Sequence, residues 1–258
     1  MSKYEGLLAE TVTYEGDGGD LINAYMARPL GSGPYPGVIV IHHMPGWDEA
    51  TKEITRRFAH HGYVAVMPNL HYRDAPDAEP DDAAAISRSN GGVPDDQFIG
   101  DAEASATYLS RLPYHSGKTG IIGFCSGGRL SYLAAGRLDS LAAGRLDSLN
   151  AAVDCWGGRV IAKPEELTER QPVAPIDYTS KIDIPLLGIF GNDDGSPSPE
   201  QVDATEVELK KHGVDYEFHR YDDAGHGLFA TDRPGFRPVQ AKEAWQEVFK
   251  FFGSNLSG

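Results

Sequence analysis

Two cysteines in 258 residues are too few for a disulfide framework. No apolar run approaches the ~20 residues that span a bilayer. Met1-Ser2-Lys3-Tyr4 leads into polar residues and not into an apolar signal segment. Basic residues are outnumbered, 23 against 38 acidic ones, for a net charge of -15, which argues against a nucleic acid or any other polyanion as partner. These absences lead to an expectation of a cytoplasmic protein that uses neither a membrane nor a nucleic acid.

What is present suits one sizeable core. The chain is 40% hydrophobic and 24% charged, and α/β folds of this length commonly form a single domain, here residues 1–258. Ala9 to Tyr14 and Leu21 to Met26 alternate as half-buried strands around the turn Asp17-Gly18-Gly19-Asp20, an antiparallel hairpin. From Val38 onward strands alternate with helices. Val38 to Ile41, Tyr63 to Met67, Thr119 to Ile122, Asn150 to Trp156, Ile184 to Phe190 and Val214 to Tyr221 read as strands. Helices are expected from Asp48 to His61, from the N-cap Asp95 to Leu112, after the Ser198-Pro199-Glu200-Gln201 capping box, and from Pro238 to Phe252. This pattern implies a mostly parallel sheet with helices on both faces. Pro68 to Pro94 is longer than an ordinary connection and has the character of a lid or binding loop, with a helical patch at Asp81 to Ser89. LAAGRLDS occurs twice in tandem, Leu133 to Ser140 and Leu141 to Ser148. The duplication reads as an insertion, with Gly136 and Gly144 favouring a break in the preceding helix.

The organising stretch is Thr119 to Arg129, TGIIGFCSGGR. A buried strand turns sharply into a helix, and Gly123 and Gly127 flank Cys125 in a Gly-x-Cys-x-Gly nucleophile elbow. Ser126 lacks this setting, because position 124 is Phe. In parallel α/β sheets ligands bind at the C-terminal ends of strands. His42 and His43, Cys125, Asp193 and Asp194, and His226 all occupy such ends. Nucleophile, acid, histidine is the α/β-hydrolase chain order.

The order GFCSGGR, GNDDGSPSP, AGHGLF on this strand pattern resembles the dienelactone hydrolase family over roughly residues 8 to 252. Asn69-Leu70-His71-Tyr72-Arg73 also resembles a proline-led segment of that family. The resemblance implies an α/β-hydrolase fold, no cofactor, and hydrolysis of lactones or activated esters by a Cys-His-Asp triad. Cys125 is then the nucleophile, His226 the base and acid, and Asp194 the group that orients His226; Asp193, at a tighter spacing also seen in the family, is the alternative. By analogy the backbone N–H groups of Met44 and Ser126 form the oxyanion hole. Asp222 and Asp223 read as turn residues. A free thiol of pKa about 8.5 needs such a neighbouring imidazole to act at neutral pH.

Two positions depart from the family pattern. His43 stands where a glutamate contacts the resting thiol, and Ala230 stands where an arginine binds a substrate carboxylate, with Arg233 three residues further on. His43 is therefore expected to help hold Cys125 as a thiolate, as His226 would. Trp47, Tyr72, Arg73, Trp156 and Phe229 are the remaining candidates for a substrate pocket, and Cys155 reads as a buried small hydrophobe. His42 and His43 are adjacent on an extended segment and point opposite ways, so no metal site is expected there. The partner expected is a small ester or lactone, bound by a monomer or homodimer. The contrasting reading is a non-catalytic hydrolase-fold protein that acts through binding or self-association, with the octapeptide duplication as its feature.

Overall fold

In the computed structural model, which describes residues 6–138 and 149–257, the hairpin is longer than its alternating core. Strand β1 (Leu7–Glu15) pairs along its whole length with β2 (Leu21–Pro29), in antiparallel register from Leu7 opposite Pro29 to Glu15 opposite Leu21. Gly18 and Gly19 hold positive φ in the intervening turn. Six further strands follow: β3 (Tyr35–Ile41), β4 (Val64–Pro68), β5 (His115–Phe124), β6 (Ala151–Cys155), β7 (Leu186–Gly191) and β8 (Tyr216–Tyr221). They build one eight-stranded sheet in the order β1-β2-β4-β3-β5-β6-β7-β8. Only β2 runs against the rest, pairing antiparallel with both β1 and β4. From β4 to β8 every neighbour is parallel.

The central strands read as apolar without alternation because both of their faces are covered. Val38 and Val40 of β3 join a cluster with Phe58 of helix α1 (Glu49–His60) and with Trp245 and Phe252 of helix α6 (Pro238–Leu256). Ile39 and Ile41 point the other way. They join Phe98 of helix α3 (Asp95–Ser110) and Leu130 and Leu133 of helix α4 (Ser126–Arg137). Helix α2 (Pro80–Ser89) lies in the long segment after β4, and α5 (Pro199–His212) opens on the capping box of Ser198 and Gln201. Among the described residues no helix is long and apolar enough to cross a membrane.

Two local expectations are corrected. Asp48 does cap α1, accepting from the Thr51 N–H at 2.9 Å, but Asp95 does not cap α3. The N-cap there is Pro94, and the Asp95 carboxylate turns inward to Arg129, at 2.7 and 3.0 Å. A buried guanidinium outcompetes a helix end that solvent can satisfy. Gly136 does not break α4. It stays in the helix, where a Cβ would meet Tyr178 at 2.8 Å, and α4 ends one residue later. The second octapeptide copy, with the last two residues of the first, lies outside the described residues.

Candidate active site

Residue 125 connects β5 to α4 with φ 57° and ψ -117°. This conformation is sterically costly for any residue but glycine, and the flanking glycines make it possible. A Cβ on Gly123 would lie 1.9 Å from the Gly127 carbonyl oxygen, and one on Gly127 would lie 2.4 Å from that of Ile41. The turn is tied to the next strand by the Cys125 N–H, which donates to the Cys155 carbonyl at 3.0 Å. Cys155 itself is fully buried, and burial pushes its thiol well up. Cys125 is partly open.

Beside it stands His226, in the loop after β8. Its Nδ1 lies 2.8 Å from Oδ2 of Asp194, in the loop after β7, and the ring lines the same two cavities as Cys125. Burial alone would lower this imidazole. The bond to the Asp194 carboxylate, with the neighbouring Cys125, holds it up at about 10 instead. Asp194 is buried and its other oxygen accepts the Ser196 N–H at 2.9 Å. Asp193 is exposed, and among the described residues only its backbone is engaged, with Ala224. Asp222 accepts from Asn192 and Asp223 has φ 57°, so both belong to the turn after β8 and neither bonds His226.

The loop after β3 is built by two histidines. Leu70 N–H donates to Nε2 of His42 at 3.1 Å, which leaves the proton on Nδ1, and that nitrogen donates to the His43 carbonyl at 2.8 Å. Burial, followed by the positive field of His71, pushes His42 down to about 3, so it stays neutral. His71 Nε2 donates to the Met44 carbonyl at 2.9 Å. Both ring nitrogens of His42 are thus committed to backbone, which leaves no lone pair for a metal. The His43 imidazole bonds Asp48 at 2.6 Å and makes no hydrogen bond to Cys125. Among the described residues, the three-ligand grouping of metal-binding type is Glu217, His219 and Glu247 on β8 and α6.

Two cavities flank the thiol. The larger, about 580 Å³, is walled by Met44 and Ser126 near Cys125 and by Leu70, Gln171, Arg129 and Arg159 beyond. The smaller, about 190 Å³, is walled by Trp156, Phe229, His43 and Arg233. Trp156 has φ 42° and packs edge-on against Phe229, with ring centroids 5.2 Å apart. Three pocket candidates lie outside both cavities. The Trp47 indole donates to the Met67 carbonyl and sits under Lys52. Arg73 is held by Asp20 and by both oxygens of Asp101, at 2.8 to 3.0 Å. Tyr72 packs on the core. These three follow a strand end in sequence but turn toward α1, the hairpin and α3, because neighbouring carboxylates and apolar faces compete for them.

Sequence reasoning passed over Arg88, Arg129, Arg159 and Gln171. The signal was there for two of them. Arg129 lies one helical turn beyond Cys125, and Arg159 follows the Gly-Gly at the C-terminal end of β6.

Residues 22–256 match the family model described as "Dienelactone hydrolase family". A relative from Salmonella typhimurium (strain LT2), named "Putative carboxymethylenebutenolidase", is 32% identical over 253 residues, covering 96% of this chain and 88% of that one. A Bradyrhizobium protein named "Probable 2-oxo-3-(5-oxofuran-2-ylidene)propanoate lactonase" is 27% identical over 246 residues, covering 94% of this chain and 93% of the other. The solved structure of a "Putative Dienelactone Hydrolase" from Klebsiella pneumoniae subsp. pneumoniae MGH 78578 superposes with a TM-score of 0.85 at 27% identity, covering 96% of this chain and 99% of that one.

Proposed function

The chain belongs to the dienelactone hydrolase family, and we propose that it hydrolyses a lactone or activated carboxylic ester through a thioester on Cys125. The observation that carries this reading is the 2.8 Å bond between Asp194 and His226, with His226 and Cys125 together lining two cavities at the elbow. With Nδ1 on Asp194, His226 meets the thiol through Nε2.

In the reacting form the thiol proton resides on His226, whose imidazole is held up at about 10. The thiolate attacks the carbonyl carbon, a C–S bond forms, and the carbonyl electrons move onto oxygen. That oxyanion meets the N–H of Ser126, which heads α4 and has no partner within the helix, and the N–H of Met44. The His43–Met44 peptide is planar, so the bond from His42 to its carbonyl fixes the direction of its N–H. Collapse expels the alkoxide, which takes the Nε2 proton; in a lactone it stays attached to the acyl group. His226 then removes a proton from water, water adds to the thioester, and collapse returns the thiolate and a carboxylic acid. Asp194 keeps the imidazole in the required tautomer throughout.

The test is turnover of p-nitrophenyl esters and of five-membered lactones by wild type and Cys125→Ala. The proposal requires that the variant be folded and lose turnover by several orders of magnitude, with a thioester trapped by acid quench in wild type. Equal turnover by both proteins would refute the role of Cys125, and no turnover by wild type would favour a non-catalytic role.

A further inference from the structure

The smaller cavity beside the thiol and an aromatic groove further out follow one another along α1. Ala50 and Ile54 line the cavity, and Arg57 and the C-cap His61 line the groove; their spacing of three and four residues puts them on successive turns of one helix face. The groove, about 510 Å³, is walled by Phe236, Trp245 and Phe249. Among the described residues Phe229 alone lines both spaces. Its side chain is buried. The ring stacks on Trp245 of the groove, with centroids 4.3 Å apart and planes at 17°, and meets Trp156 of the cavity edge-on at 5.2 Å. One side chain thus stands between the thiol's cavity and the groove.

The cavity by itself is small. Its volume of about 190 Å³ is below the ~300–1,000 Å³ of ordinary ligand sites, and Ile54, Phe124 and Trp156 make it apolar, which suits an acyl chain. The larger cavity, with its guanidinium groups, is left for the departing alkoxide. A chain that starts at the thiol and fills the smaller cavity ends against Phe229. That ring is held in place, because its loop is tied by the Ala230 N–H to the Gly227 carbonyl at 2.9 Å and by the Arg237 N–H to the Leu228 carbonyl at 3.2 Å. Beyond it the groove continues as apolar surface. Arg57 lies over the Trp245 ring at 5.1 Å and bonds Glu53 at 3.2 Å. His61 stacks on Phe249 with centroids 3.7 Å apart, and burial, followed by the charges of His60 and Arg57, pushes its imidazole down.

We infer that Phe229 determines the length of acyl group the site accepts: in place it restricts the site to short chains, and without it the aromatic groove becomes a distal subsite for a longer apolar chain. The inference rests on the hydrolase reading for its substrate and adds the side chain that sets where the acyl group must end.

A matched pair of esters tests it: p-nitrophenyl butyrate against p-nitrophenyl octanoate, which differ only in chain length. Wild type should favour the butyrate in kcat/KM. Phe229→Ala should raise the octanoate-to-butyrate ratio by about 10- to 100-fold, the worth of roughly two to three newly buried methylenes at about fourfold each, and Phe229→Leu should raise it less. Gln246 is exposed and lines the groove, so Gln246→Trp fills the groove from outside. Added to Phe229→Ala it should remove most of the gain, and alone it should leave the wild-type ratio unchanged. A merely structural role for Phe229 would lower turnover of both esters and leave their ratio where it is. Binding separates this inference from the hydrolase reading: in calorimetry Cys125→Ala/Phe229→Ala should bind octanoate at least about tenfold more tightly than Cys125→Ala does, with no such gain for butyrate. Equal use of both esters by wild type, a folded Phe229→Ala with the wild-type ratio, or a gain that Gln246→Trp leaves intact would overturn it. Should Phe229→Ala misfold, Phe229→Leu with and without Gln246→Trp still decides by the same ratio.

Discussion

The imidazole of His43 lies 2.6 Å from the Asp48 carboxylate at the head of α1, and not on the thiol of Cys125. Burial alone would raise Asp48, yet its bonds to His43 and Thr51 hold it down at about 2. The residue at the position of the family's glutamate therefore tightens the start of a helix, and the state of the thiol is left to His226. His43→Gln should leave the rate of Cys125 alkylation by iodoacetamide at neutral pH nearly unchanged, whereas His226→Asn should slow it. An equal slowing in His43→Gln would assign the thiol to His43 after all.

The acid of the site should be separable by single substitutions. Asp194→Asn removes the acceptor that sets the His226 tautomer and should lower kcat/KM by up to about 10⁴-fold, as in the serine-protease analogue. Asp193→Asn alters an exposed side chain with no hydrogen bond or ion pair among the described residues and should cost less than about threefold, within the surface-substitution range. Ester kinetics on both variants check this, and equal losses would contradict it.

Stability should carry the signature of His226. Its folded pKa, about 10, lies above the ordinary 6.5. The protonated form is therefore favoured by folding: its contribution is complete below about 6.5 and is lost as pH rises through about 10. The melting temperature of wild type minus that of His226→Asn should fall between those limits. In Cys125→Ala the fall should be complete at lower pH, because one of the groups that raise the imidazole is gone. A difference that is constant with pH would show that the imidazole is not raised.

His42 is expected to act as a positioning residue. His42→Asn can keep a donor near the His43 carbonyl, while His42→Leu cannot. The Leu variant should lose about 10- to 100-fold in kcat, less than the removal of a whole oxyanion donor, with little change in KM. Alkylation of Cys125 needs no oxyanion hole and should proceed at the wild-type rate. Loss of alkylation together with kcat would point to a collapsed site.

The Arg129–Asp95 pair should be costly to break from one side. Asp95→Ala leaves a buried guanidinium without its carboxylate, at a cost of about 3–5 kcal/mol. Asp95→Leu/Arg129→Met should recover most of this in urea denaturation, because the ion pair as a whole contributes little net stability. If the double variant is no more stable than Asp95→Ala, packing around the pair governs stability there.

What the sequence determined alone was local chemistry. Gly123 and Gly127 around Cys125, the Ser198–Gln201 capping box, the Asp48 cap and the Asp17–Asp20 turn are each decided within a few residues, so their spacing carries the information. The chain order of Cys125, Asp194 and His226 at successive strand ends follows from alternation of strands and helices. Partner choice did not follow. Asp194 and Asp193 are neighbours in one turn, and only the position of the His226 loop across β7 and β8 separates them. Asp95 reads as a cap and becomes an ion-pair partner because α3 packs against α4, which carries Arg129 34 residues away. Trp47, Tyr72 and Arg73 follow strand ends yet turn from the cavities, for their partners lie 20 to 53 residues distant. The wall of Arg88, Arg129 and Arg159 comes from three separate segments. Sheet order brings those charges together, and strand periodicity says nothing about sheet order.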